Sequence, residues 1–132
     1  MQNRPQSLKE IAIESASLAE FGLNVRDFLR EWNLAARAGR NLNQLIADEP
    51  AIMAGAIEQG EVCDAFLAAL AVHLSGKGSL IAPDWADDPR RRLSQPWFSL
   101  ESKAARDWLL TEALPTFRER NLFIDSSALA RL

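Results

Sequence analysis

The sequence predicts an all-α fold, in which residues 1–132 form a single helical domain of about six or seven helices around one buried central helix. Alanine and leucine, the strongest helix formers, supply 21 and 19 of the 132 residues, whereas tyrosine is absent. Apolar residues recur at helical spacing in most segments. The chain is long enough to bury a core without disulfides or metal ions, and 48% apolar with 25% charged residues is typical of a globular domain.

The central helix is predicted over Val62–Leu74, where the sequence reads VCDAFLAALAVHL. Asp64 and His73 are the polar members of this segment. A helix that is apolar on nearly every side lies enclosed by its neighbours. We therefore expect this helix at the centre of the core, with no polar machinery inside the domain.

Four helical segments are predicted before the central helix. Ser7 and Glu10 have the spacing of a capping box, so the first helix begins after Ser7 and ends near Gly22. Asn24 caps the second helix, which stops before Gly39. Apolar spacing gives the bounds of the first, third and fourth segments: Leu8–Ala19, Leu42–Ala47, and Ala51–Glu58 with Pro50 in its first turn.

The sequence after the central helix is less regular. Several glycines and prolines interrupt residues 75–97, so we expect this stretch to cross the surface, held there by apolar side chains. The elements predicted next are a helix over Leu100–Ala113, a helical turn over Thr116–Arg120, one short extended segment over Leu122–Asp125 and a last turn capped by Ser126 or Ser127.

Composition and charge disfavour several classes of protein. A net charge of −3 opposes non-specific binding to nucleic acid or to an anionic membrane. No apolar run reaches the ~18 to 20 residues that cross a bilayer, and the amino terminus lacks the pattern of a secretory signal, so the cytoplasm is the expected compartment. A single cysteine cannot form a disulfide within the chain, and a single histidine cannot build a histidine-rich metal site.

Cys63 and His73 do not form a catalytic pair. They lie ten residues apart on one predicted helix and therefore point about 80° apart. Cys63 is expected as a buried filler, and His73 as a donor to the free carbonyls at the helix end. Asp84, Asp87 and Asp88 could hold a hard cation, but capping of short turns explains them better. We expect no catalytic residue, cofactor or metal ion.

The four tryptophans serve either the core or a binding surface, because indole combines a large apolar area with one hydrogen-bond donor. Trp32 and Trp108 lie on amphipathic helices and are expected in the core. Trp85 and Trp97 lie in the irregular stretch, where they either clamp it to the body of the domain or anchor a partner.

Basic residues cluster near these last two tryptophans. The run Arg90, Arg91 and Arg92, together with Arg118 and Arg120, forms either a partner-binding patch or a solvated rim. Acidic neighbours in the same loop weaken its attraction for a polyanion.

Residues 33–48 allow a different interpretation, a helix-turn-helix that binds DNA. Ala35 and Gly39 have the spacing at which two such helices meet closely. Polar side chains that could contact phosphates and base edges follow: Arg37, Arg40, Asn41, Asn43 and Gln44. Against this interpretation, Asp48 and Glu49 repel phosphate and Pro50 cuts the second helix short.

Several sequence features resemble a group of small bacterial proteins and domains. The matching motifs are LAALAxHL at Leu67–Leu74, PxW at Pro83–Trp85 and PWF at Pro96–Phe98. The segment PTFRERNLFID at Pro115–Asp125 is similar to the group's PxxFxxRN(I/L)F(V/I)D motif but has one residue fewer between the proline and the phenylalanine. Some members of that group are similar to the antitoxin half of toxin–antitoxin pairs encoded beside nucleotidyltransferase-like genes. The resemblance implies binding to a protein partner and carries over no active site.

The leading hypothesis is therefore a non-enzymatic intracellular interaction domain of the antitoxin type, whose partner is a protein, in one version a toxin. Trp and Arg dominate binding hot spots, which favours the following residues as the partner-binding surface: Trp85, Arg90, Arg91, Arg92, Trp97, Arg118, Arg120 and Asn121. The alternative is a DNA-binding regulator that uses residues 33–48. No membrane contact is expected, and a homo-oligomer stays open.

Overall fold

The structure, a computed structural model, describes residues 5–125. Within that range it contains six α-helices and one pair of short strands, and the predicted all-α class is confirmed. The elements are α1 (Leu8–Glu14), α2 (Leu18–Arg37), α3 (Asn43–Ile46), α4 (Gly60–Lys77), β1 (Trp97–Phe98), α5 (Lys103–Glu112), α6 (Pro115–Arg118) and β2 (Leu122–Phe123), with 3₁₀ helices at Asp84–Asp87 and Pro89–Arg91. None of the helices in this range has the length and apolar character needed to cross a membrane.

The amino-terminal helices divide at a different point from the one predicted. Ser7 caps α1 as expected, since its Oγ accepts the N–H of Glu10 at 3.2 Å. A second capping box follows at once: Ser17 Oγ accepts the N–H of Glu20 at 3.1 Å. Helix α2 therefore begins at Leu18, and the prediction of a first helix running to Ala19 is wrong.

Asn24, predicted as the cap of the second helix, lies inside α2 instead. Its Nδ2 donates to Ser15 Oγ at 2.9 Å, which ties α2 to the end of α1. Gly22 also lies within α2 and ends no helix. The two serine capping boxes, ten residues apart in the chain, decide where these helices begin.

The predicted fourth helix is absent. Residues 47–59, which we call the strap, form turns and irregular chain rather than a helix. Met53 and Ala54 donate their backbone N–H groups to the carboxylate of Asp64 and not to carbonyls of a helix. A side chain from another element thus replaces the helical hydrogen bonds that local sequence favours.

Helix α4 is the central helix, longer than predicted and buried along most of its length. It packs against α6, the 3₁₀ helices, α2 and β2. At its first residue, Gly60, a Cβ atom would lie 1.9 Å from the backbone oxygen of Met53, so the strap can lie against the helix because this residue has no side chain. Asp64, one of the two polar members of the predicted segment, is fully buried.

The carboxy-terminal half has two cores separated by a parallel ladder. Strand β1 pairs with β2 in the register Trp97 with Leu122 and Phe98 with Phe123. Because successive side chains of a strand point to opposite faces, the first pair packs against the large core around α4, whereas the second pair packs in a small core with Leu109. The predicted extended segment is present as β2, and its partner strand was not predicted.

Helix α5 rests on this small core. The rings of Phe98 and Phe123 stack with centroids 4.8 Å apart, and Leu109 is the residue of α5 that is buried. Trp108 is 47% exposed, so its predicted place in the core is wrong, whereas Trp32 at 5% exposed is confirmed there. The predicted caps Ser126 and Ser127 lie outside the described residues.

Candidate partner-binding surface

Arg91, a residue of the predicted binding surface, is a buried clamp on the strap, and the half-buried Trp85 beside it is tied to the end of α3. The Arg91 guanidinium lies 4.9 Å from the centroid of the Trp85 ring, and the side chain of Arg91 is 0% exposed. Its Nη2 donates to the backbone oxygen of Pro50 at 2.5 Å, while Trp85 Nε1 donates to that of Ile46 at 3.3 Å. Arg91 therefore cannot contact a partner at the surface, and its assignment to that surface is wrong.

Asp64 completes this clamp from the side of α4. Its Oδ1 accepts the N–H of Met53 at 2.7 Å and its Oδ2 that of Ala54 at 3.0 Å. Arg91 Nη1 lies 3.9 Å from Oδ1, near enough for charge attraction but too far for a hydrogen bond. Burial raises the pKa of the Asp64 carboxyl, while the two N–H donors and Arg91 act in the opposite direction. Sequence analysis gave this residue no role.

Arg120 forms a second buried polar cluster, which binds backbone carbonyls of the fold as Arg91 does. Arg120 is 2% exposed, and its Nη1 and Nη2 donate to the backbone oxygens of Thr116 at 2.8 Å and Ala86 at 3.0 Å. Burial lowers the pKa of Arg120, and the nearby charge of Arg92 adds to this effect. Arg120 thus ties α6 to the first 3₁₀ helix, and its assignment to the binding surface is also wrong.

Asn121 and Trp97 likewise serve the fold. Asn121 adopts a left-handed backbone conformation with φ of 64°, which an asparagine tolerates better than most residues. Its Nδ2 donates to the backbone oxygen of Leu93 at 2.7 Å, and its own backbone oxygen accepts the N–H of Trp97 at 2.8 Å. Trp97 is half-buried and packs against the large core. Both residues hold the irregular stretch against β2.

Three arginines of the predicted surface do remain exposed. Arg90 pairs with Asp88, whose carboxylate accepts from Arg90 Nη2 at 2.6 Å, and this contact lowers the pKa of Asp88 to about 2. Arg92 Nη1 donates to the backbone oxygen of Glu119 at 3.3 Å. Arg118 is exposed and its side chain contacts no charged or polar partner among residues 5–125. The structure therefore divides the eight predicted residues into internal clamps and an exposed basic rim.

The reactive side chains of α4 are poorly placed for catalysis. Cys63 is 1% exposed, and burial, together with the charges of Asp64 and Glu61, raises the pKa of its thiol to about 12. His73 is half-buried with its ring centroid 6.2 Å from that of Phe117, and burial lowers its pKa. Over residues 5–125, no three potential ligands among His, Cys, Asp and Glu converge on one point that could hold a metal ion.

The segment considered for DNA binding does not form a second long helix. Helix α3 has four residues, a single turn, so it is too short to lie along a major groove as a recognition helix does. Arg40, Asn41 and Gln44 instead line a polar cavity of about 280 Å³ that also contains Glu10 and Asp48. These two acidic side chains oppose the approach of a phosphate.

Helix α5 offers an exposed apolar surface that sequence analysis missed. Over its ten residues it buries Leu109, while Trp108 and Leu110 are 47% and 50% exposed. Leu100, in the turn that precedes the helix, is 38% exposed. Trp108 and Leu110 lie two positions apart, so they flank the buried Leu109 from opposite sides of the helix. We refer to Leu100, Trp108 and Leu110 together as the α5 surface. The amphipathic pattern placed Trp108 wrongly because α5 packs through Leu109 on the small core of Phe98 and Phe123 and not on the large core.

No family model, no curated protein and no solved structure matches this chain.

Proposed function

We propose that this protein is a non-enzymatic interaction domain of the antitoxin type, which acts by covering a protein partner. The observation that carries the proposal is the half-exposed Trp108 of the α5 surface, because its large apolar indole remains in contact with water. Tryptophan is also the residue type most enriched at the energetic centres of protein interfaces. Binding of a partner would cover Trp108 and Leu110.

The chemistry of the interior supports the same proposal. Asp64 and Arg91 are occupied by backbone groups of the strap, and Arg120 by the carbonyls of α6 and the first 3₁₀ helix. His73 lies against an aromatic ring, and the thiol of Cys63 stays protonated in its buried position. These groups contribute to architecture, which leaves surface recognition as the function that the exposed side chains favour.

The antitoxin assignment combines two observations: the geometry of α5, and the resemblance of the LAALAxHL, PWF and PTFRERN segments to the small bacterial proteins described above. The proposal moves the partner-binding residues from Arg91 and Arg120, which are buried, and from the half-buried Trp85 to Trp108 and Leu110. The exposed Arg118, on the helix that follows α5, supplies a charge that could orient the partner.

The test is co-expression with the product of the adjacent gene in the source genome. We expect the neighbouring protein to slow growth when expressed alone, and this chain to restore growth and to copurify with it. The Trp108→Ala, Leu110→Ala double variant should weaken the complex by at least about tenfold, since hot-spot truncations each cost about 2 kcal/mol or more.

Ile13→Ala is the matched control, because Ile13 is 68% exposed on α1 and lies outside the α5 surface. Its affinity should equal that of the unmodified protein. A neighbouring product that neither binds nor is neutralised would contradict the antitoxin proposal. Equal binding by the α5 double variant would remove α5 from the interface.

A further inference from the structure

Helix α2 carries a second stripe of residues that the core does not use. Its buried stripe contains Phe21, Val25, Phe28, Trp32 and Ala35. At 100° per residue, the opposite side of the helix presents a set that we call the α2 outer face: Leu23, Arg26, Arg30, Leu34 and Arg37. The helix is 20 residues long, so this face extends for about 30 Å.

Two exposed leucines lie on this face, with charged residues between them. Leu23 is 50% exposed and Leu34 is 47% exposed. They lie eleven positions apart, which is three helical turns and about 16 Å along the axis. A second helix lying alongside α2 has side chains of its own at the same spacing of three turns.

The charges between and beside the leucines are predominantly positive. Arg30 and Arg37 are exposed, and neither has an ion pair or side-chain hydrogen bond among residues 5–125. Asp27, which lies 3.6 Å from Arg26, is on the same face, about 40° around the helix from Leu23, and offsets one of the three arginines. The face therefore carries net positive charge on a chain whose overall charge is −3.

We propose that the α2 outer face binds an acidic amphipathic helix of a partner protein. Leucine or isoleucine side chains of that helix pack against Leu23 and Leu34, and its carboxylates pair with Arg30 and Arg37. Arginine suits this role because its planar fork pairs with a carboxylate through two hydrogen bonds. This surface lies on a different helix from the α5 surface, so the inference stands independently of the antitoxin proposal.

The same observations favour an acidic protein helix over DNA or an anionic membrane as the partner of this face. A DNA-binding surface neutralises many phosphates, whereas this face offers two unpaired arginines with Asp27 beside them. A helix that lies in a membrane interface submerges a continuous apolar side, but the continuous apolar side of α2 is already buried in the core.

The test uses a synthetic helix-forming peptide of about 20 residues with glutamates flanking two leucines at the spacing of Leu23 and Leu34. A matched peptide has every glutamate replaced by lysine. Fluorescence anisotropy at about 50 mM salt should show saturable binding of the glutamate peptide to the protein and no binding of the lysine peptide. Raising the salt to about 500 mM should weaken the affinity for the glutamate peptide by at least about tenfold.

Charge reversal in Arg30→Glu, Arg37→Glu should reduce the affinity for the glutamate peptide by about tenfold or more, and Arg30→Gln, Arg37→Gln should give a smaller loss. Arg92→Glu, Arg118→Glu is the matched control, because it reverses two exposed arginines outside α2 and should leave the affinity unchanged. Circular dichroism and the melting temperature identify any variant that fails to fold. If the Arg30→Glu, Arg37→Glu variant does not fold, the affinity of the Arg30→Gln, Arg37→Gln variant decides the test.

Absence of binding to the glutamate peptide, or equal binding by both folded α2 variants and the unmodified protein, would overturn the proposal. Tighter binding to a DNA duplex or to phosphatidylglycerol vesicles, lost in the Arg30→Gln, Arg37→Gln variant, would overturn it too and reassign the face. None of these results bears on the co-expression test of the α5 surface.

Discussion

Replacing Asp64 by alanine tests whether the buried clamp on the strap stabilises the fold. The change removes the acceptor of two backbone N–H groups, at 2.7 Å from Met53 and 3.0 Å from Ala54. The N–H of the buried Met53 loses its partner in the interior, whereas that of Ala54 lies near the surface. It also leaves the buried Arg91 with Glu49, whose side chain is 48% exposed, as its remaining acidic neighbour at 3.5 Å.

The expected loss of unfolding free energy is the balance between the contacts that Asp64 makes and the cost of burying its charge. Each lost hydrogen bond to a charged group is worth about 1.5 to 3 kcal/mol, and breaking a buried ion pair from one side costs about 3 to 5 kcal/mol in all. Burial raises the pKa of Asp64, so the ionised carboxylate is itself held at a cost that alanine does not have. We therefore expect the lower part of this range, about 3 kcal/mol, for Asp64→Ala.

Urea denaturation followed by tryptophan fluorescence measures this loss. With a slope of about 1.5 kcal/mol per molar urea, the midpoint should fall by about 2 M. Asp48→Ala is the control, because Asp48 is exposed and should change stability by less than about 0.5 kcal/mol. A loss below about 1 kcal/mol for Asp64→Ala, with the slope unchanged, would show that the clamp does not stabilise the domain.

Three further predictions follow from single positions. Gly60→Ala places a Cβ 1.9 Å from the Met53 oxygen and should lower the free energy of unfolding, measured by urea titration, by several kcal/mol. Gly22→Ala has nothing within 4 Å of its Cβ and should raise that free energy by up to about 1 kcal/mol. Equal effects at the two positions would contradict the close contact at Gly60. Cys63 should not react with a thiol reagent at pH 8 until the protein is unfolded, because its pKa is about 12, and rapid labelling of the folded protein would refute its burial. Burial lowers the pKa of His73 in the folded protein below its ordinary 6.5, so the unfolded chain takes up the proton first as the pH falls. Relative to His73→Gln, the stability that His73 contributes should be present above pH 6.5 and lost as the pH falls through the folded pKa. A stability difference between the two proteins that does not change with pH would contradict this.

Local signals predicted the parts of the fold that depend on short-range chemistry. The apolar run of α4 identified the central helix, and the capping box at Ser7 located the start of α1. The second box at Ser17 carries the same signal, and reading it would have divided α1 from α2 correctly. Periodicity also identified Trp32 as a core residue.

Long-range contacts explain what the sequence could not show. The strap has helix-forming composition, but Asp64, in the next helix along the chain, binds its N–H groups and holds it open. The arginine run was interpreted as surface because arginines are mostly exposed, whereas Arg91 lies beneath Trp85 and donates to a carbonyl 41 residues away. No periodicity in the chain encodes such a pairing.

Long-range packing also explains why Trp108 was predicted in the core but lies at the surface. Trp108 has the spacing of a core residue, yet α5 packs on a small core that accommodates Leu109 and leaves the indole half exposed. Which side of an amphipathic helix faces inward depends on how much core is available to cover it. That quantity depends on the tertiary arrangement and not on the segment itself.

The parallel ladder between the two cores restricts where the chain can change its length. Trp97 and Leu122 face one core and Phe98 and Phe123 face the other, so a slip of one position would exchange an indole for a phenyl ring on each side. The short segment before β1 and the tight turn at Asn121 are consequently spacers of fixed length. A one-residue insertion at either place should disturb both cores at once, although neither segment is itself buried among apolar side chains.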